Sequence, residues 1–556
     1  MKRWRCSLNS KEKIWLKSYP DDVDPNLEIK ERSLTELLDD AVKKFGEAIS
    51  LQFENHSWTY KEVQQVSEKL AGCLFQQGFK KGDRLSIMLP NCAQYVFSVF
   101  GVIRLGGIVV QTNPMYVERE IDYQLKDTEA EFMICHDTVY ERVKRVQDQT
   151  LLKKIIVVQF NDKKNIKLDV NDMYFDDFLE TYHSPPPKVE INPNEDIAVL
   201  QYTGGTTGRS KGVILTHQNF VNQAELVNEF LLKEFEYDQD AHRVVISFLP
   251  LFHIFGLASV TMTGYLFGYK QIILPRFETE SVLNLIKKEQ PIFFFGVPTM
   301  FTSMLNFPNV ESYGIEHIKV FFCGSSPMPL ETYNSFKKLM GKKAYLSDGY
   351  GLSEMTSGTI SNPHSKMKIG SVGVPLPLTE AKIVIETDNG LEEASYKTEG
   401  EIIVRGPQMM KGYWNNPEET GIALRNGWLH TGDIGYMDQD GYFYIVDRMK
   451  DMIIAGGYNV YPREIEEVIY QIRQVNEVIV IGIPDEYRGE TVKAYITLKE
   501  NQIIKEEEII TFCRSNLAAY KVPRFIEFRE NLPKSSVGKL LKRKLRNEEL
   551  SNKNIT

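Results

Sequence analysis

The sequence predicts an α/β protein in two unequal parts, a large N-terminal region built on a largely parallel sheet and a small C-terminal α+β domain. Three observations carry that prediction. The chain has 556 residues, too many for one hydrophobic core, so at least two domains are expected. Short β-branched runs alternate with stretches of helical periodicity, the order that builds parallel strands joined by crossover helices. After Asp447 the pattern shifts to a compact set of roughly 110 residues, an ordinary size for a separate domain.

Taken in order, "DRLSIMLP" reads as a strand, "CAQYVFSVFGVIRLG" as a helix and "GIVVQTNP" as the next strand. The tract "SPPPK", Ser184 to Lys188, can only be extended and marks a linker. The alternation returns in "KQIILP", "SVLNLIKKEQ" and "PIFFFGVP", and then in "IKVFFCGSS". Beyond the second break, "REIEEVIYQI" and "EEEIITFCRSNL" read as helices, "EVIVIGIP" and "TVKAYITLK" as strands. The boundary is placed between Asp447 and Lys450, giving domains of residues 1–447 and 448–556.

Composition narrows the function classes. With 42% hydrophobic and 25% charged residues, the chain has material for a packed core. Its most apolar windows, such as "VFSVFGVIRLGGIVV", are broken by Arg104 and glycines, so no bilayer span is expected. A net charge of -9 argues against a nucleic-acid binder. Cys6, Cys73, Cys92, Cys135, Cys323 and Cys513 lie far apart without a CxxC pair, which reads as reduced thiols in a cytoplasmic protein. Lys2, Arg3 and Arg5 are followed by no apolar stretch, so no secretory signal is expected. The first twenty residues set Lys2, Arg3, Arg5, Lys11, Lys13 and Lys17 against Glu12 alone, with Trp4 and Trp15 among them. That composition fits weak peripheral contact with an anionic membrane, and a solvated basic terminus equally.

Four stretches look like site material. "YTGGTTGRSKGVILTH", Tyr202 to His217, packs four glycines and four threonines around one lysine. Backbone N–H groups and hydroxyls at that density suit a polyphosphate, although the order Ser210, Lys211, Gly212 fails the Walker pattern and a ligand-free turn would look similar. "DGYGLSEMTSG" places Glu354 in a glycine-rich loop where a carboxylate could meet magnesium. "GWLHTGDIGYMDQDGYFYIVDR" offers Asp433 and Arg448 for a ribose diol, or merely a turn aspartate. "NLPKSSVGKLLKRKLR" presents Lys539 on a Gly538 turn at the start of a basic helix.

Singly these signals are weak, but their order is not. "YTGGTTGRSKGVILTH", "GSSPMP", "YGLSEMT", "GWLHTGDIGYMDQDGYFYIVDRMKDMIIAGGYNVYPREIEE" and "PKSSVGK" together resemble the adenylate-forming enzymes, which include acyl-CoA synthetases, luciferases and the adenylation domains of peptide synthetases. The resemblance runs from about Leu34 to Arg543. "LQYTGGTTG", "GDRLSIMLPNCAQYV" and "GGIVVQTNPMY" look most like bacterial long-chain fatty-acid:CoA ligases. The fold so implied is a large multi-layered domain with mixed sheets and a small mobile C-terminal domain that turns near Lys450.

The implied substrates and cofactors are a fatty acid, ATP, magnesium and coenzyme A. By resemblance, Thr203, Gly204, Gly205, Thr206, Thr207, Gly208 and Lys211 hold the phosphates, and Glu354 with Thr203 serves the metal. Ser353 meets the α-phosphate. Gly324, Ser325, Ser326, Asp348, Gly349, Tyr350 and Gly351 wall the adenine, while Asp433 and Arg448 take the ribose. Lys539 reaches the acyl carboxylate, and Gly456 and Gly457 belong to the thiol passage. "PLFHIFGL" and "FFFGVPTMF" are read as lining an acyl pocket, with His253 as the gate of its tunnel and Gly256, Gly296 and Val297 small enough to leave room for an alkyl chain. A medium-chain or aryl acid:CoA ligase and a carrier-protein loading enzyme are the alternatives, the latter without a carrier domain after "NKNIT". Chain length and oligomeric state, a homodimer included, do not follow from the sequence.

Overall fold

The structure is a computed structural model and describes residues 13–160, 166–203, 210–233, 243–342, 344–388, 390–455, 458–485, 488–536 and 538–553. Among these residues four sheets form. The largest has nine strands, in the order 374–375, 357–361, 345–352, 320–323, 293–296, 244–247, 270–273, 49–53, 56–59. Its centre, from Ile49–Phe53 to Tyr345–Leu352, is parallel, and antiparallel strands close both edges. A seven-stranded sheet is parallel except at one edge, where Ile197–Thr203 and Lys211–Thr216 form a hairpin. The third sheet is antiparallel and runs through Glu380–Thr387, Gly400–Arg405, Trp428–Met437 and Phe443–Arg448. The expected mixed α/β layers are thus observed, with strands and helices where the alternating segments put them.

Local chemistry explains the helices between the layers. Leu34–Phe45 starts on a capping box, Ser33 accepting from the Glu36 N–H while Glu36 reaches back, and it buries Leu34, Leu37, Leu38 and Ala41 on one side. Ala93–Arg104 is apolar nearly all round and is buried nearly all round. One hydrophobic cluster joins Leu51 and Ile273 of the first sheet, Leu85 and Val109 of the second, and Leu70, Val99 and Phe220 of the helices, so the main core lies between these sheets. Ile402, Leu429 and Phe443 tie the third sheet to the same cluster.

The C-terminal domain has a core of its own. Ile465, Val480, Val492, Ala494, Ile509 and Cys513 pack together under the fourth sheet. Its long hairpin, Val475–Asp485 against Gly489–Leu498, carries the helices Pro462–Tyr470 and Glu506–Asn516. The five described cysteines are free and buried, as expected of structural thiols. No described helix is long and apolar enough to cross a membrane. Trp15 departs from its expected interfacial role: it is buried against Phe443, with Lys13 paired to Glu380 and Lys17 to Asp440. Lys2, Arg3, Trp4, Arg5 and Lys11 lie outside the described residues.

Candidate active site

A cavity of about 1500 Å³ opens where the first three sheets meet the C-terminal domain. The described residues assigned to a nucleotide by sequence all line it: Thr203 and Lys211, Gly324 to Ser326, Asp348 to Gly351, Ser353 and Glu354, Asp433 and Arg448. His253 and Lys539 line it too. Gly204, Gly205, Thr206, Thr207, Gly208, Gly456 and Gly457 lie outside the described residues.

Strand ends deliver these groups. Cys323 closes one parallel strand of the first sheet and Asp348 sits beside it on the next, so "GSSPMP" and "DGYGLSE" emerge side by side. The segment read as a loop is more ordered than expected. Tyr345–Leu352 is a continuous strand, and Glu354 sits on the short turn Ser353–Met355 that leads back into Ser357–Ser361. Close packing explains the Gly-Tyr-Gly order: a Cβ on Gly349 would stand 2.2 Å from the Phe322 ring and one on Gly351 2.3 Å from the Ser357 carbonyl oxygen. Tyr350 is thereby pinned between a tight contact to the Phe322 ring and one to the Ser357 carbonyl, and faces the cavity.

At the ribose candidate, the Tyr350 hydroxyl donates to Asp433 Oδ2 at 2.6 Å and Arg448 Nε lies 3.2 Å from Asp433 Oδ1. Asp348 Oδ1 is buried without a hydrogen-bond partner, and burial raises its carboxyl to about 7. A donor from a ligand would satisfy that oxygen, which suits the amino edge of a purine. The Glu354 carboxylate accepts the Tyr413 hydroxyl hydrogen at 2.8 Å through Oε1. One hard carboxylate in a cavity for phosphates fits magnesium, which takes few protein ligands and completes its shell with phosphate oxygens and water.

Lys211 lines the cavity with its ammonium already paired, donating to Glu419 Oε2 at 2.8 Å and riding 4.4 Å above the Tyr413 ring. One expectation changes in detail. Lys539 precedes its helix rather than starting it. Lys534 and Leu540 bridge, Gly538 turns at φ +78°, and the helix begins at Lys542. The Thr299 hydroxyl donates to the Gly538 carbonyl at 3.3 Å and fixes this hairpin to the large domain. Lys539 is pushed down to about 7, first by the Arg448 guanidinium and then by burial. Its neighbour His253 is pushed down to about 4, mainly by burial. The His253 Nδ1 accepts the Phe255 N–H at 3.3 Å, so the ring is neutral and carries its proton on Nε2.

The apolar part of the cavity differs most from expectation. Gly256 leaves no room, since a Cβ there would meet the Pro250 carbonyl oxygen at 2.3 Å. Gly296 is covered by the Phe294 and Phe301 rings, and Val297 packs toward Gly538. Phe255 of "PLFHIFGL" and Phe295 of "FFFGVPTMF" line the cavity as expected, and Val227, Leu231, Ile360 and Leu376 add walls that were not. Val227 immediately precedes a π-helical turn, Asn228–Leu232, Leu231 lies within it, and Phe255 begins another, Phe255–Met262. Val227, Leu231, Ile360 and Leu376, with Tyr413, Glu419 and Glu401, carry no motif that single-sequence reading would pick out.

Known proteins place this geometry. Residues 38–414 match the AMP-binding enzyme family and residues 464–539 its C-terminal domain. A long-chain-fatty-acid CoA ligase of Bacillus subtilis (strain 168) is 42% identical, with 98% of this chain and 99% of that protein covered. Its counterpart in Escherichia coli O157:H7 is 36% identical, covering 97% and 98%. The crystal structure of ATP-bound MatB from Rhodopseudomonas palustris superposes with a TM-score of 0.84 at 26% identity, covering 93% of this chain and 99% of that one.

Proposed function

The chain belongs to the AMP-binding enzyme family, and on that premise we propose that it is a long-chain fatty-acid:CoA ligase in which the residues gathered in the cavity carry the roles that follow. It converts a fatty acid and ATP to acyl adenylate and pyrophosphate, then passes the acyl group to coenzyme A. The observation that carries this reading is the convergence of polar nucleotide groups and an apolar wall in one cavity.

A fatty carboxylate is a poor acyl donor because its leaving group would be oxide. Attack of a carboxylate oxygen on the α-phosphorus of ATP breaks the bond to the β-phosphate and turns that oxygen into part of AMP. Asp433 and Arg448 hold the ribose, Tyr350 lies along the adenine, and Asp348 Oδ1 accepts from its amino group. Thr203 and Ser353 donate to phosphate oxygens. Magnesium at Glu354, with the Thr203 hydroxyl beside it, supplies positive charge to the phosphates when bound. Lys539 draws the carboxylate toward the α-phosphate and neutralises the charge that builds between two anions. The acyl chain lies against Val227, Leu231, Ile360 and Leu376, with neutral His253 near the reacting end.

The second step needs a different set of groups. The small domain, residues 448–556, turns about Lys450, withdraws Lys539 and brings Gly456 and Gly457 to the thiol passage. The thiol of coenzyme A then displaces AMP. A pyrophosphate-release screen over acids of graded length, with and without coenzyme A, tests the assignment. Release that ignores chain length, or thioester formed only on a tethered carrier, would sink it.

Weak membrane contact through Lys2, Arg3, Trp4, Arg5 and Lys11 remains part of the proposal, supported by charge alone. Sedimentation with anionic vesicles at low and high salt, wild type against a variant with these cations replaced by glutamine, decides it.

A further inference from the structure

Asp433 owes its position to an irregularity in the third sheet. The strands Gly400–Arg405 and Trp428–Met437 pair Ile403 with His430 and Glu401 with Ile434, so one residue, Ile402, faces three on the other strand. Those three are Thr431, Gly432 and Asp433, and Gly432 turns there at φ +69°. Bulges of this kind aim side chains, but they strip backbone groups of their ladder partners. The Glu401 side chain supplies the missing acceptor. Its Oε1 takes the Gly432 N–H at 3.0 Å, and its Oε2 takes the His430 Nδ1 hydrogen at 2.7 Å. The Arg425 guanidinium adds charge 3.8 Å away. Both partners are shielded, with 13% of the Glu401 side chain and 6% of the His430 side chain exposed. Thr431 completes the brace, donating to the Ile402 carbonyl at 2.6 Å and accepting the Asp433 N–H at 3.1 Å.

We propose that Glu401 is a positioning residue for ribose recognition: by clamping His430 and Gly432 on either side of Thr431, it fixes the bulge that aims Asp433 into the cavity. The proposal rests on the reading of Asp433 as the ribose acceptor. Charge-assisted hydrogen bonds are shorter and stronger than neutral ones, so a carboxylate suits the task better than a ladder carbonyl. Without it a part-buried N–H loses its acceptor, and the bulge gains the freedom to move Asp433 away from the sugar. Glu401 does not touch substrate. Its loss should therefore appear as lost discrimination at the ribose.

The experiment compares ATP with 3′-deoxy-ATP in the adenylation half-reaction. Wild type is expected to favour ATP by at least about tenfold in kcat/KM, because a site built to bind a hydroxyl rejects the analogue lacking it. Asp433→Ala should lose that preference. Glu401→Leu should lose most of it too, with kcat/KM falling further than kcat at saturating ATP. Glu401→Gln retains an acceptor for the Gly432 N–H and should keep at least half of the preference on a logarithmic scale. Where Glu401→Leu does not fold, Glu401→Asp, one methylene short of Gly432, gives the same comparison. A folded Leu or Asp variant with wild-type preference, beside an Asp433→Ala that has lost it, overturns the positioning role alone. Wild type and Asp433→Ala equally indifferent to the 3′-hydroxyl would overturn the ribose reading, and the role of Glu401 with it.

Discussion

Tyr413 donates its hydroxyl hydrogen to Glu354 across 2.8 Å, and the opposite side of the same network holds Lys211 between the Tyr413 ring and Glu419. The hairpin strand that begins at Lys211 is thus mechanically joined to the carboxylate proposed for magnesium. The Lys211 ammonium is held by Glu419 within this frame.

A consequence concerns magnesium. Tyr413→Phe removes one hydrogen bond to a charged group, an interaction typically worth 1.5–3 kcal/mol, so the magnesium concentration for half-maximal pyrophosphate release should rise by about tenfold. Glu354→Gln should raise it further, with urea midpoints of both variants close to wild type. Binding of Mn²⁺ in the presence of ATP, followed by electron paramagnetic resonance, should weaken in parallel. Unaltered metal dependence in Glu354→Gln would remove Glu354 from the metal.

Chain-length preference should answer to Val227 and Leu231, which line the apolar wall. A larger side chain there takes space from the far methylenes of a long acid. Each methylene denied burial costs about 0.8 kcal/mol, or about fourfold in kcat/KM. Val227→Phe is therefore expected to shift the optimum of the graded-acid screen toward shorter chains by a few carbons while leaving the KM for ATP within about twofold. A profile that merely scales down at every length would place Val227 outside the acyl path.

These walls also mark where the sequence stops being legible. Polyphosphate, ribose and metal candidates announce themselves because each needs a particular residue type in a glycine-rich setting, as with Asp433 after Gly432 or Glu354 after "YGLS". The parallel-strand alternation is equally plain, since buried strands read as continuous β-branched runs. An apolar wall carries no such signature. Val227 and Leu376 look like any core residue until the chain folds around them, and Gly256 looks like open space until Pro250 is seen against it. Glu401 is missed for another reason: its partners His430 and Gly432 are about thirty positions away, and only the bulge brings them together.

Gly256 provides a stability test of that correction. A Cβ at this position would stand 2.3 Å from the Pro250 carbonyl oxygen, a backbone atom that cannot swing aside. Gly256→Ala should cost about 1–3 kcal/mol in urea unfolding, the usual penalty of overpacking. The graded-acid profile should keep its shape. A stable variant with a shortened optimum would return Gly256 to the tunnel.

Lys539 ties pH to the first half-reaction. In the ligand-free protein its ammonium is pushed down to about 7 by Arg448 and by burial, against an ordinary value of 10.5. The unfolded chain therefore binds more protons between these two values, and this group alone makes stability rise with pH across that window. ATP reverses the balance, because a polyanion beside the lysine favours its charged form. Between about pH 7 and pH 10 ATP binding should take up close to one proton at this site, with a smaller share from Lys450, which burial and Arg448 push down to about 8. Calorimetry in two buffers of different ionisation enthalpy reads the uptake directly, and Lys539→Ala should remove most of it. The same variant should slow acyl-adenylate formation by about a hundredfold or more, the scale of losing a charge-stabilising group from the transition state. Thioester formation from supplied acyl adenylate should stay within about threefold of wild type, since the proposed role of Lys539 is confined to the first step. Equal losses in both half-reactions would refute the division of labour between the two arrangements of the small domain, and undiminished proton uptake in Lys539→Ala would show that the titrating group is another.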